Sequence, residues 1–200
     1  KVLQTRCGER GRGDKGGLAV RPSCADGPGT LVGEEDEIME ANVVSGVAYV
    51  RGEAKVTLRN VADKRGVAAA IFGPLAEAGV NVDMIIQNIS EEGFTDMTFS
   101  CPTNQVARAE KAMQEAKDKG DINFHDLLAD TNVAKISAVG IGKRSQSGVA
   151  ATMFKTLSDE GINIKVISTS EIKISVLVDR KYMELAVQSL HDAFGLETAA

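Results

Sequence analysis

Two short loops in the sequence carry residue types that suit a small anion. "NVADKRG" ends at Gly66 and "GKRSQSG" ends at Gly148, and each stands between a predicted strand and a predicted helix. A helix N-terminus presents unpaired N–H groups and a partial positive charge, and an α-carboxylate fits there. Asp63 could accept a hydrogen bond from an ammonium group, or it could cap the helix. The first loop is therefore a candidate ligand site in which the role of Asp63 stays open.

Polar side chains follow on the strand that is predicted next to this loop. Asn81 and Gln87 offer hydrogen-bond donors and acceptors, and Asn163 stands at the matching place in a second copy of the segment. Duplication preserves structural residues as well as ligand-binding ones. These side chains are therefore either ligand groups or polar residues at the end of a strand.

Signatures of enzymes are scarce in the sequence. It contains no GxxxxGK[ST], GxSxG or HExxH, and the segment Val139–Gly148 resembles a phosphate loop only weakly. The two histidines, His125 and His191, are predicted to be surface or strand-edge residues. We therefore predict no catalytic residue, no metal ligand and no cofactor site in this chain.

The elements that would position the loops occur twice. "GVAAAIFGPLAEAGVNVDMIIQNIS" from Gly66 recurs as "GVAATMFKTLSDEGINIKVISTSEI" from Gly148, an offset of 82 residues. In the first copy the patterns predict strand, helix, strand, strand, helix and strand, with Gly79 ending the first helix and Pro74 disturbing it. The second copy repeats this order up to its second helix.

A strand is missing from the end of the second copy, and a spare strand, "VVSGVAYV", stands before the first. An open sheet edge is a liability, so we expect residues 43–50 to complete the sheet of the second copy. The fold class is then α+β, with two ferredoxin-like βαββαβ domains, the first inserted between strand 43–50 and the rest of the second. The predicted bounds are 54–130 for the first domain and 133–196 for the second.

Composition and charge restrict the function further. The formal net charge of −5 and the scattered Lys and Arg argue against a nucleic-acid binder. Three widely spaced cysteines, Cys7, Cys24 and Cys101, favour a reduced cytoplasm. The sequence has no apolar run of 18 residues that would span a membrane. Residues 1–42, rich in Gly between 8 and 29, are expected to be a poorly packed lead-in and a remnant of a longer chain.

The residues resemble the tandem ACT domains of the aspartate kinase family. The similarity rests on "KVTLRNVADKRGVAAAIFGPLAEAGVNVDMIIQNIS", "TDMTFSCP" and "ISTSEIKISVLVD", while "KVLQTR" and "SCADGPGTLV" resemble the end of its kinase domain. The chain departs from the family's pattern at Gln4-Thr5, where His-Pro is usual, and at Arg65, where proline is usual. The resemblance implies the regulatory region or a separate β subunit, inactive alone, with ATP and Mg belonging to an absent kinase domain.

The resemblance also implies what this region binds. Lysine and/or threonine would be the effectors, acting by feedback inhibition in a cytoplasmic homodimer that works with a catalytic kinase subunit or domain. In the first copy the family's binding loops correspond to Asp63, Gly66, Val67, Ala68, Asn81 and Gln87. Asn163 and Ile164 of a partner chain would complete that site, and changes at Ser90, Thr98 and Ser170 would relieve inhibition. The alternatives are a free-standing ACT-type sensor that acts on another enzyme and an assembly piece without a ligand.

Overall fold

The computed structural model describes residues 18–21, 30–32, 44–89, 93–140 and 146–196. The chain divides into two compact units, residues 1–43 and 44–200. In the first unit, strands β1 (Leu18–Val20) and β2 (Thr30–Val32) pair antiparallel, with Leu18 opposite Val32. The Gly-rich stretch 8–17 lies outside the described residues.

The described part of the second unit is one antiparallel sheet covered by helices. Six strands pair in the order β4-β5-β3-β6-β8-β7. The strands are β3 (Gly46–Ala62), β4 (Ile85–Ile89), β5 (Phe94–Pro102), β6 (Asp126–Val139), β7 (Ile164–Thr169) and β8 (Lys173–Asp179). The helices are α1 (Val67–Glu77), α2 (Val106–Asp118), α3 (Gln146–Asp159) and α4 (Met183–Ala193), with short 3-10 turns before α2 and α4. None of the described helices is long and apolar enough to cross a membrane.

Two long strands, β3 and β6, belong to both repeats. The first part of β3, Gly46–Val50, pairs with the end of β6, whereas Glu53–Ala62 pairs with β5 and with the start of β6. We call residues 53–130 lobe 1, and residues 46–50 with 133–196 lobe 2. The predicted insertion is confirmed, because the strand before the first copy completes the sheet of the second. The sequence patterns predict two short strands in place of β3 and two in place of β6. In the structure each of these is one continuous strand, and the pairing of β3 with β6 has a register shift between Val50 and Glu53.

Each lobe has its own apolar core between helices and sheet. In lobe 1 the inward residues of β3 and β5 meet Ile71 and Leu75 of α1 and Met113 of α2, and in lobe 2 Met153 and Leu157 of α3 take the equivalent place. Because strand side chains alternate between faces, the other face of each sheet carries a different set of residues. No described helix of this unit covers that side, and we call it the open face.

The first helix of each repeat ends in the same way. Gly79 has φ 67° and donates to the Ala76 carbonyl oxygen at 2.9 Å, and the Val80 N–H reaches the Leu75 carbonyl oxygen at 2.9 Å. This is the Schellman arrangement, which satisfies the last carbonyl groups of the helix, and the predicted role of Gly79 is confirmed. α1 continues through Pro74, which has no N–H to donate to the Ala70 carbonyl oxygen, so the last turns of the helix lack one hydrogen bond.

Candidate functional site

The loop that leads into α1 leaves a helix start without a side-chain cap. Gly66 is the N-cap residue, with φ 87° and ψ 3°, and no described side chain donates or accepts a capping hydrogen bond there. The Val67 N–H donates to the Lys64 carbonyl oxygen at 3.0 Å, which closes a tight turn. Asp63 instead uses its backbone N–H on the Gly93 carbonyl oxygen at 2.9 Å. The capping role that the sequence allowed for Asp63 is therefore wrong.

Charge and space at this helix start suit a small anion. The first N–H groups of α1, including that of Ala68, have no carbonyl acceptor within the helix. Lys64 and Arg65 are exposed beside them, and α1 has no acidic residue in its first turn. A Cβ added at Gly66 would meet no atom of the described residues within 4 Å. The site is thus open to solvent, cationic on one side and bordered by the exposed Asp63.

The other candidates of lobe 1 lie away from the helix start. Gln87 is exposed on the edge strand β4, opposite Met97, which in turn lies opposite Leu58 on β3. Asp63 follows the end of β3, five residues after Leu58, so Gln87 lies part of the way along the sheet. Thr98 has its hydroxyl 3.0 Å from that of Thr57, and alternation with Met97 places it on the open face.

Asn81 lies at the opposite end of the sheet from Asp63. Its N–H donates to the Gln105 side chain at 2.7 Å, just past the point where Pro102 pairs with Glu53. About ten residues of extended strand separate Glu53 from Asp63, or roughly 30 Å. One chain therefore does not bring Asn81 to the start of α1.

The second-copy candidates lie within lobe 2. Asn163 is exposed and Ile164 is half-buried at the start of β7. Ser170 is exposed in the β7–β8 turn, where its N–H donates to the Lys173 carbonyl oxygen at 2.8 Å. Ser90 falls outside the described residues, as do residues 141–145 of the second loop.

An open cavity of about 420 Å³ lies between β3 and α4, away from every predicted site residue. Tyr49, Arg51, Glu184 and His191 line it, and Arg51 is paired with Glu184 at 2.7 Å. The sequence predicts that both histidines lie at the surface or at a strand edge. His191 is half-buried in α4, and His125 is exposed beside Asp126.

Sequence reasoning missed a group of charged residues on the open faces. Lys135 of β6 forms ion pairs with Asp83 and, at 3.9 Å, with Glu53, which is 4% exposed. Lys165 of β7 lies 2.7 Å from Asp130. The hydrogen bond from Lys135 holds the pKa of Asp83 below its ordinary value, and the bond to Asp130 raises the pKa of Lys165. The available signal was a charged residue, Glu53, in a strand otherwise rich in apolar residues.

The comparisons with known proteins first define the class. Residues 56–119 match the ACT domain family, and residues 136–194 match a second family that is also described as an ACT domain. These ranges fall in lobe 1 and lobe 2, so the chain carries two ACT domains in tandem.

Relatives over the whole chain define the family. The aspartate kinase of Pseudomonas fluorescens (strain SBW25) is 46% identical over 201 residues, covering 100% of this chain and 48% of the relative. A crystal structure of aspartokinase alpha and beta subunits matches with 48% identity and a TM-score of 0.69, over 76% of this chain and 99% of that one. The ligand-free regulatory subunit of aspartate kinase from Thermus thermophilus matches with 35% identity, a TM-score of 0.70 and the same coverage.

The chain belongs to the aspartate kinase family and is a regulatory ACT region of it. It spans about half the length of the curated relatives that it matches.

Proposed function

We propose that this region senses lysine or threonine and transmits feedback inhibition to an aspartate kinase catalytic domain or subunit. The observation that carries the proposal is the uncapped start of α1 at Gly66, in an ACT domain, with open space beside it. The α-carboxylate would take the N–H group of Ala68 and share that of Val67, which donates to the Lys64 carbonyl oxygen at 3.0 Å in the unliganded turn. Asp63 would take the ammonium group. The relatives match the whole chain as aspartate kinases, which favours this role over a free-standing sensor of another enzyme.

Asp63→Ala tests the proposed contact. A hydrogen bond to a charged group contributes about 1.5–3 kcal/mol, so the affinity for the amino acid should fall more than tenfold. Melting of the unliganded protein should not change, because Asp63 caps no helix. Glu77→Ala, which removes an exposed carboxylate at the other end of α1, is the matched control and should bind normally.

Calorimetric titration and thermal melting with lysine and with threonine measure both effects. At 100-fold over its dissociation constant, a ligand should stabilise the wild type by about 2.7 kcal/mol. The proposal fails if neither amino acid binds at millimolar concentration. If Asp63→Ala binds as the wild type does, an amino acid binds elsewhere and the assignment of the site fails.

The edge strands support a homodimer. β4 and β7 end the described sheet, and Ile85 and Ile167, which are equivalent in the two repeats, are 52% and 44% exposed there. Unpaired edges with apolar side chains favour pairing with another strand. We infer that two chains join along these edges, so that Asn163 and Ile164 of one chain reach the α1 start of the other.

Ile167→Lys should therefore weaken the dimer, because a charge on an edge strand opposes edge-to-edge pairing. Sedimentation velocity over a range of concentrations measures the association. Leu185→Lys, at an exposed apolar residue of α4, is the control and should leave association unchanged. A monomeric wild type at every concentration, with and without amino acids, would contradict the inference.

A further inference from the structure

The open faces of the two lobes meet at a small apolar contact. Met84, just before β4, packs with Val166 of β7 and Leu177 of β8, and Ile86 borders the group. Met84 and Val166 are equivalent, 82 residues apart, like Ile85 and Ile167. The contact thus joins the beginnings of the two edge strands.

A charged cluster from lobe 2 holds the beginning of β4. The Lys135 ammonium group contacts Asp83, and its side chain is only 15% exposed. Glu53, the second partner of Lys135, accepts a hydrogen bond from the Ser100 hydroxyl at 2.8 Å. The same hydroxyl accepts the Met84 N–H at 3.2 Å. Lys135 therefore supports the residues before β4 directly through Asp83 and indirectly through Ser100.

A second cluster holds β7 from lobe 1. The Lys165 ammonium group lies 2.7 Å from Asp130, in the lobe 1 part of β6, and 2.5 Å from Asp179 of its own lobe. Its side chain is 21% exposed. The carboxylate of Asp130 also accepts the Asn132 N–H at 2.9 Å, which fixes its direction.

The two clusters occupy equivalent places with different residues. The hydroxyl pairs Thr57–Thr98 and Ser137–Ser175 align the repeats on the open face, and on this alignment Lys135 corresponds to Lys55. Asp83 corresponds to Lys165, so plain repetition would set Lys55 against Lys165. Asp130 compensates these like charges, because both lysines act on its carboxylate. The cross-lobe attachment is therefore present in both halves, although the charge at one position is inverted.

We propose that Lys135 and Lys165 are positioning residues that act across the boundary between the lobes. Lys135 of lobe 2 holds the residues that lead into β4. Lys165 holds its own strand, β7, through Asp130 of lobe 1. Removing Lys135 takes its cation from the buried carboxylate of Glu53 and from Asp83. Removing Lys165 takes its cation from Asp179 and leaves Lys55 to act on Asp130. Partly buried carboxylates that lose a cation in this way cost more than the pair itself contributes. The effect should fall on the strand that is held. This inference concerns the unliganded protein and does not depend on the identity of any effector.

Lys135→Met and Lys165→Met, which keep the length of the side chain, test it in the full chain by amide hydrogen exchange. In Lys135→Met the N–H groups of Asp83 and Met84 should exchange at least tenfold faster, while those of β7 change less than threefold. Lys165→Met should show the reverse pattern. Lys155→Met, which breaks an exposed ion pair within α3, is the matched control and should change neither strand.

Lys135→Arg separates the charge from packing and should restore slow exchange in β4. The inference is overturned if Lys135→Met leaves the exchange of Asp83 and Met84 unchanged, or if it accelerates β7 and lobe 2 as much as these two residues. It is also overturned if Lys135→Arg behaves like Lys135→Met. If Lys135→Met fails to fold, Lys135→Arg is compared with Lys165→Met. The quantity compared is the exchange rate in β4 divided by the exchange rate in β7. Equal ratios in the two variants overturn the proposal.

Discussion

Gly140→Ala tests the junction between the inserted and the enclosing repeat. Gly140 ends β6 with φ 85°, and its N–H donates to the Ile172 carbonyl oxygen at 2.8 Å. Ser45, just before β3, donates its N–H to the Val139 carbonyl oxygen at 2.8 Å. A Cβ on Gly140 would lie 2.9 Å from the Ser45 backbone nitrogen and closer still to the Ser45 side chain. The substitution thus acts where the first strand joins the sheet of the second repeat.

Two costs add in this variant. An L-residue in the left-handed region costs about 1–2 kcal/mol. A contact this short with backbone also requires Ser45 to move, which strains its hydrogen bond to Val139. We expect a loss of at least about 2 kcal/mol of unfolding free energy, or roughly 4–8 °C in Tm for a domain of this size.

Urea unfolding followed by circular dichroism measures the loss. Gly148→Ala is the control, since Gly148 lies inside α3, where the described residues leave open space for a Cβ, and alanine there should stabilise by about 0.5–1 kcal/mol. If Gly140→Ala is as stable as the wild type, Ser45 does not approach Gly140. The enclosure of one repeat by the other would then be wrong at this point.

Two further predictions concern titrating groups. Burial raises the pKa of the Cys101 thiol to about 11; in a variant whose other cysteines are serine, a thiol reagent at pH 8 should therefore react only as fast as the protein opens, and rapid labelling would contradict this. The bond to Lys135 lowers the pKa of Asp83 below 3.8. A depressed pKa means that its stabilisation is present above pH 4 and is lost as the pH falls further, so Asp83→Asn should reduce the change in urea midpoint between pH 5 and pH 3, and an unchanged difference would refute the pairing.

Much of the fold could be predicted because the signals are local or repeated. Apolar residues at helical spacing predict α1, and Gly79 predicts its end, since a positive φ favours glycine. The insertion of the first repeat into the second could be predicted by counting strands. The second repeat lacked its last strand, and an additional strand preceded the first repeat. The continuity of residues 46–62 as one strand was not predictable, because it depends on how the neighbouring strands β5 and β6 pair with these residues.

The candidate site was predictable only in part. Asp63 to Ala68 are adjacent in sequence, so one turn brings them together. The sequence pattern assigns Asn81 and Gln87 to the same predicted strand, and we therefore expected them to lie near each other. The structure separates Asn81 from Asp63 by the length of the sheet, because α1 carries the chain back before β4 begins. The ion pairs of Lys135 depend on contacts between open faces, and strand alternation alone does not reveal what a face meets.

The shared strands give the two domains a mechanical connection that separate ACT domains would lack. Asp63 follows directly on β3, and the first residues of the same strand, Gly46–Val50, form an edge of the lobe 2 sheet. A displacement of β3 at the proposed ligand loop is either absorbed at the register shift between Leu58 and Val61 or reaches the shift between Val50 and Glu53. Glu53 lies at the shift between Val50 and Glu53, and its contacts with Lys135 and Ser100 restrain the strand there. A ligand that moves β3 as far as Glu53 would therefore act on both lobes, and the two repeats would respond as one unit.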